Sequence, residues 1–253
     1  MSRARILALA AGAWSVALLV PAVVRADALT PESGGSPNAD EIDALYKLVL
    51  YVALAVFVAV EGTLVYSLVR YRAGRGRVAA QIRGNTRLEI GWTLAAALIL
   101  VVLTVITFVK VGAISNPTPA APAVAAAGDP AARPSPLRIE VAGQQYLWSF
   151  RYPSGVLAYE QMVVPTGTTV LLDIVSSDVA HSWWIPRLGG KADAIPGYTN
   201  HTWFRISRAG VFRGQCAELC GRNHADMTAQ VRAVSPARFR AWLSAQEHAL
   251  RSR

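Results

Sequence analysis

The chain has 253 residues, a formal net charge of +9, 53% apolar residues and a mean hydropathy of +0.32. That balance excludes a wholly water-soluble protein and calls for membrane spans beside one compact domain. Its two cysteines, Cys216 and Cys220, are too few for a disulfide framework and lie close enough to suggest a site.

Residues 1–28 read as an export signal. Arg3 and Arg5 precede an uncharged run from Ile6 to Val24, and Ala26 and Ala28 offer small residues for cleavage. The run is also long enough to stay as an uncleaved extra span. Residues 29–39, rich in Gly, Pro and Ser, form a short flexible lead-in. Residues 40–112 predict a transmembrane helical hairpin with spans at about 45–69 and 90–110, each about one bilayer thick. Glu61 interrupts the first span. A carboxyl at that depth faces partner helices or water, or is a protonated packing residue bonded to a neighbour.

Between the spans lie Arg70, Arg72, Arg75, Arg77, Arg83 and Arg87, without one acidic residue. A short loop with this excess stays cytoplasmic, which sends both outer ends of the hairpin across the membrane. The expected location is a bacterial plasma membrane, multi-pass, with the C-terminal domain on the periplasmic or extracellular side. Spans on both flanks make nucleic acid a poor partner for these arginines. Residues 113–136 are an Ala/Pro linker, semi-extended and without a core of its own.

From Leu137 the pattern turns to strands. Leu-Arg-Ile-Glu-Val-Ala alternates at period two, residues 145–152 do so in part, and residues 168–175 form a β-branched run after a turn at Pro165. Residues 202–206 and 230–233 supply more, so residues 137–235 predict an all-β sandwich. Residues 236–253 predict a C-terminal helix. Ser235 can cap it, Pro236 suits its first turn, and Phe239, Trp242 and Leu243 share one face.

The chemistry concentrates in residues 214–227, GQCAELCGRNHADM, with Cys216, Cys220, His224 and Met227. Thiolates, an imidazole and a thioether are the soft donors that copper prefers. This is too much sulfur for one blue-copper ion. Two thiolates bridging two copper ions use the same atoms well if a second imidazole arrives, and His181 in VAHSWWIP is the candidate. Spacing alone leaves three other readings open. The four positions fit the buried stripe of a helix, which Gly214 and Gly221 disfavour. The cysteines could form a disulfide in an oxidising compartment. Zinc could bind, but it has little use for Met227.

Over about residues 40–250 the chain resembles subunit II of haem–copper cytochrome c oxidases. The motifs that carry the resemblance are His-Ser-Trp with Ile-Pro, the run from Lys191 through Asp193 to Gly197, and the copper loop with His224 and Met227. The resemblance implies two membrane helices followed by an exported cupredoxin-like Greek-key sandwich with a C-terminal helix. It implies that Cys216 and Cys220 bridge the two coppers of a binuclear CuA centre and that His181 and His224 bind one ion each. Met227 and the Glu218 carbonyl would be weak ligands, while the Glu218 side chain would reach a magnesium ion shared with subunit I. Glu89 resembles the carboxylate at the entrance of a proton path, and it also reads simply as an acid at a helix N-terminus. Tyr146 and Trp148 fall in the aromatic patch where electrons enter.

The implied function is to accept electrons from a c-type cytochrome and pass them to the haem of subunit I. There oxygen is reduced to water and protons are pumped, so no turnover is expected from this chain alone. Subunits I and III are the implied partners. Two departures matter. Tyr146 stands where the family usually has tryptophan. Residues 138–253 hold thirteen Lys/Arg against eight Asp/Glu, which disfavours a strongly basic cytochrome as donor. Rival readings are a copper-free quinol oxidase subunit, an exported copper-binding or delivery protein, nitrous oxide reductase and the electron-entry subunit of a nitric-oxide-reducing complex. The full donor set opposes the first, a closed site the second and chain length the third. His201 and His248 lie in no matched motif and read as surface residues. One of Trp183 and Trp184 should pack beneath the copper loop.

Overall fold

The computed structural model describes residues 29–72, 81–117 and 136–252. The signal at 1–28, Arg75 and Arg77, and residues 118–135 of the linker lie outside the described residues. Two units separate, residues 44–112 on one side and, on the other, the β-domain together with 29–43 and the segment from 113.

Helices α1 (Pro37–Arg70) and α2 (Thr86–Ser115) are long and apolar enough to cross a membrane. They outrun the expected spans because helical geometry continues into the polar turns at either end. The second therefore takes in the start of the expected linker. Phe57, Leu68 and Phe108 face outward, as a hydrocarbon solvent or a partner helix requires. Glu61 is exposed on α1. Asn85 starts α2 through a reciprocal cap: its side chain accepts from Leu88 N–H at 3.2 Å, and Glu89 Oε1 accepts from Asn85 N–H at 3.1 Å.

The β-domain has ten strands: β1 (Leu137–Gln144), β2 (Leu147–Arg151), β3 (Leu157–Tyr159), β4 (Gln161–Pro165), β5 (Thr169–Ser176), β6 (His181–Trp183), β7 (Ala192–Ala194), β8 (Asn200–Arg205), β9 (Gly210–Gln215) and β10 (Thr228–Val234). One sheet runs β3-β2-β1-β5-β8, a second β4-β10-β9, and β6 pairs with β7. Two pairs are parallel, β1 with β5 and β4 with β10, and the remaining pairs are antiparallel. Alternation directs the core. Ile139 and Val141 of β1, Trp148 and Phe150 of β2, Leu172 and Ile174 of β5 and Val231 of β10 all point inward and are fully buried. Helix α3 (Pro236–Arg251) starts where the sequence puts it, with Ser235 Oγ accepting from Arg238 N–H at 3.4 Å. Its Phe239 and Trp242 close over Tyr152, with ring centroids 6.4 and 5.2 Å away.

The lead-in at 29–39 is not the flexible segment its composition suggests. Ser36, Asn38 and Ala39 are each 2% exposed. Asn38 Nδ2 donates to Trp203 O at 2.7 Å, and Ser36 Oγ accepts from Arg205 N–H at 3.1 Å. Trp203 Nε1 also donates to Ile114 O at 2.9 Å, so β8 is bonded to Ser36, Asn38 and Ile114 within one unit.

Candidate metal centre

His181 comes from β6, in which all three residues are buried, and its ring is 0% exposed. The cysteines come from the loop after β9. That loop is no helix: only a 3-10 turn at His224–Asp226 interrupts it, so the buried-stripe reading of positions 216, 220, 224 and 227 falls. Gly221, at φ +137°, takes a conformation that side chains rarely adopt, and Gly214 lies so close to Trp184 that a Cβ would be 1.9 Å from its carbonyl oxygen. Backbone bonds lash the loop to β6 and to itself. Gln215 N–H donates to Trp184 O at 3.1 Å, Ala217 N–H to Ser182 O at 2.9 Å and Cys216 N–H to Met227 O at 2.9 Å.

These elements bring five soft donors together. Cys216 Sγ stands 3.8 Å from His181 Nδ1 and 3.9 Å from Cys220 Sγ. Cys220 Sγ stands 3.6 Å from His224 Nδ1 and 3.9 Å from Met227 Sδ. The Glu218 carbonyl oxygen is 3.3 Å from Cys216 Sγ. The ligand atoms of His181, Cys216 and Cys220 all lie within 4.8 Å of one another. Both cysteines are free and buried. Burial, and then the neighbouring Cys216, push the Cys220 thiol up to about 11. A cluster of this kind, built of sulfur and imidazole, fits copper far better than magnesium or calcium.

Three neighbours pack on or bond to His181. Trp148 is fully buried and meets its ring edge-on, centroids 5.9 Å apart, while a Cβ on Gly143 would come within 3.0 Å of its Cδ2. The third is Asp178, whose Oδ1 lies 2.8 Å from His181 Nε2. Partial burial works against the charge on Asp178. The bonds from Gln145 N–H, the His181 ring and Val179 N–H outweigh it and hold the carboxyl below its ordinary value. Gln145 in turn donates from Nε2 to Cys220 O at 2.6 Å. The motif reading passed over Asp178 and Gln145. Their signal was proximity alone, an acid three residues before a candidate ligand histidine.

Among the other expected residues, Tyr146 is half-buried beside the loop and its hydroxyl accepts from Arg222 N–H at 3.1 Å. Trp148 is an inner wall of the pocket rather than a surface group. Trp183, not Trp184, is the core tryptophan, edge-on to Trp148 and Phe150 with centroids 5.3 and 5.5 Å away. The Glu218 side chain is exposed, and so is Glu89 in its cap. His201 is exposed and bonded to Asp173, and His248 is exposed on α3.

Comparison with known proteins follows the same division of the chain. Residues 154–234 match the family model for the periplasmic domain of cytochrome c oxidase subunit II, and residues 27–109 match the model for its transmembrane domain. Cytochrome c oxidase subunit 2 of Cereibacter sphaeroides is 30% identical over 259 residues, covering 84% of this chain and 80% of that protein. The chain belongs to the cytochrome c oxidase subunit II family. The Alkalihalophilus pseudofirmus subunit 2 is 35% identical, over 78% of this chain but only 54% of its own length. A crystal structure of the periplasmic domain of the Bradyrhizobium japonicum subunit is 33% identical, covers 44% of this chain and 94% of that one, and superposes with a TM-score of 0.43. Subunits of this family are parts of a haem–copper oxidase, and the family's copper centre is the group against which the cluster described above is to be weighed.

Proposed function

We propose that the chain is the electron-entry subunit of a respiratory oxidase, holding a binuclear CuA centre between β6 and the loop after β9. The observation that carries this is the sequence of contacts His181–Cys216–Cys220–His224, with one imidazole beside each thiol and the thiols facing each other. His181 and His224 would bind one copper each, Cys216 and Cys220 would bridge, and Met227 and the Glu218 carbonyl would lie at the flanks. When bound, a copper pair of this kind supplies a one-electron relay whose charge is shared over two metals and two sulfurs.

The chain's own residues make that relay fast. Buried donors on a strand and a lashed loop keep nearly the same positions in either oxidation state, so little reorganisation opposes the transfer. Trp148 beside His181 and the buried Met227 beside Cys220 shield that side of the cluster from water. Tyr146, half-buried against Arg222, is the proposed point of arrival for an electron from a c-type cytochrome. Trp148, two residues on, packs edge-on against His181. An electron accepted there would go on to a haem in subunit I, the place where oxygen would be reduced and protons pumped.

Glu218, exposed in the loop, would offer one carboxylate to a magnesium ion at the boundary with subunit I. Magnesium keeps several waters and takes one or two carboxylates, so Glu218 would be one ligand of a site shared with the partner. Glu89 would serve a proton path from its place at the start of α2, and subunit III would complete the assembly. Sidedness follows the arginine excess between the helices, with the β-domain outside a bacterial plasma membrane. The excess of basic groups on that domain, Arg222 among them beside the loop, favours a neutral or acidic donor, or one tethered to the membrane. At low salt such a cytochrome should reduce the centre faster than a strongly basic one.

The test uses the full chain in detergent, because residues 36–43 belong to the same folded unit as the β-domain. Copper is added and the electron spin resonance spectrum recorded. Hyperfine coupling to two equivalent copper nuclei is expected, and Cys216→Ser should abolish it. A one-copper pattern in the unaltered chain would overturn the proposal.

A further inference from the structure

We infer that Asp178 is a positioning residue that presets the metal pocket before any metal arrives. This inference rests on the copper reading above. The carboxylate sits in the bend between β5 and β6, and its two oxygens receive three N–H groups. Oδ1 accepts from Val179 N–H at 2.7 Å and meets His181 Nε2 at 2.8 Å, and Oδ2 accepts from Gln145 N–H at 2.7 Å.

The first consequence concerns the ring. A carboxylate accepts and does not donate, so the proton of a neutral His181 belongs on Nε2. That leaves the lone pair of Nδ1 facing Cys216 Sγ, 3.8 Å away, which is the tautomer a metal ligand needs. Trp148 meets the ring edge-on, and a Cβ on Gly143 would come within 3.0 Å of both, so the ring is closely packed.

The second consequence concerns the loop. By holding the backbone of Gln145, Asp178 fixes the turn between β1 and β2. The side chain of Gln145 then reaches the carbonyl of Cys220 at 2.6 Å. One carboxylate thus orders a ligand on the strand directly and a ligand on the loop through one intermediary. The same turn carries Tyr146, whose hydroxyl meets Arg222 beyond Cys220. His224 is built differently. It is half-buried, and among the described residues no carboxylate orients its ring.

The experiment compares the full chain in detergent with Asp178→Asn and Asp178→Ala. Asparagine keeps the shape but turns an N–H₂ toward one of the three donors. Asp173→Asn is the control, since Asp173 bonds the ring of His201 at 2.8 Å on another part of the domain. Two quantities are read. The first is the ¹⁵N spectrum of the histidines in metal-free protein at neutral pH. The unaltered chain should show His181 protonated on Nε2 alone, and Asp178→Ala should mix the two tautomers. The second is copper retention against a competing chelator, where both Asp178 variants should hold the metal about 10- to 100-fold less tightly. The control should change neither.

If Asp178→Ala keeps a pure Nε2-protonated His181, or if both variants retain copper as firmly as the parent, Asp178 is not the positioning group. Asp178→Asn keeps the comparison open should the alanine variant fail to fold. If the unaltered chain takes up no copper pair, the copper reading fails, while the tautomer measurement still judges Asp178.

Discussion

The two flanks of the candidate centre are made in different ways. His181 lies on a strand, fully enclosed, with both ring nitrogens engaged and aromatic packing across its face. Cys216, Cys220, His224 and Met227 lie on a loop with one short 3-10 turn, tied down by a few backbone bonds. A strand residue inherits its position from a ladder that exists for other reasons. A loop residue must be held case by case, and here the strand side does much of the holding through Ser182 and Trp184. The lesson is that the centre is assembled against β6.

The sharpest way to break this comparison is to delete each imidazole in metal-free protein and measure unfolding by denaturant. His181→Ala opens a cavity in the core and strips Asp178 of a partner, so a loss of about 2–5 kcal/mol is expected. His224→Ala, at a half-exposed position, should lose only about 0.5–1 kcal/mol. Equal losses would mean that the two sides are built alike.

A second variant asks whether instability elsewhere reaches the centre. The Tyr152 hydroxyl donates to Val163 O and accepts from Val163 N–H, both at 2.8 Å, so Tyr152→Phe leaves two buried backbone groups unpaired. A loss of about 1–3 kcal/mol is expected with no change in the copper spectrum. Burial, only partly offset by the bond with Val163, raises this phenol above its ordinary value. The folded protein therefore keeps the proton more firmly than the unfolded chain does. Its contribution is complete below about pH 10 and fades as pH rises further. The Phe variant should lack that alkaline decline in a pH series of unfolding midpoints.

The smallest effect sharpens the loop side. Met227 is fully buried 3.9 Å from Cys220 Sγ. Met227→Leu conserves volume, so stability should fall by less than about 1.5 kcal/mol. The spectrum of the copper-loaded chain should nevertheless shift, because a sulfur has been removed from the wall of the site.

Much of this was legible in the residues. Hydropathy located both membrane helices, and the donor set with its two glycines located the loop. Ser235 and Pro236 marked the start of α3 to the residue. What escaped depended on distant partners. Ser36 and Asn38 read as a flexible lead-in because the backbone groups that hold them belong to β8, more than 160 positions later. β6 and β7 span three residues each, too few for a period to declare itself. Trp148 was expected in the aromatic patch of electron entry, and nothing in that expectation marked it as core. Yet the alternation Leu147, Ser149 and Arg151 outward, Trp148 and Phe150 inward was already present in the sequence. Asp178 sits in a Ser-Ser-Asp bend, the composition of an ordinary turn, and so carries no distinguishing mark in the sequence.

The parallel pairing of β4 with β10 also sets an order of events. Gln161 waits for Gln230, 69 positions downstream, before its strand has a neighbour on that edge. Such distant pairing closes late. Cys216 bonds to Met227 at the threshold of the same final strand, so the pocket cannot exist on a half-made chain. On the copper reading, the full donor set comes together only after synthesis has passed Met227.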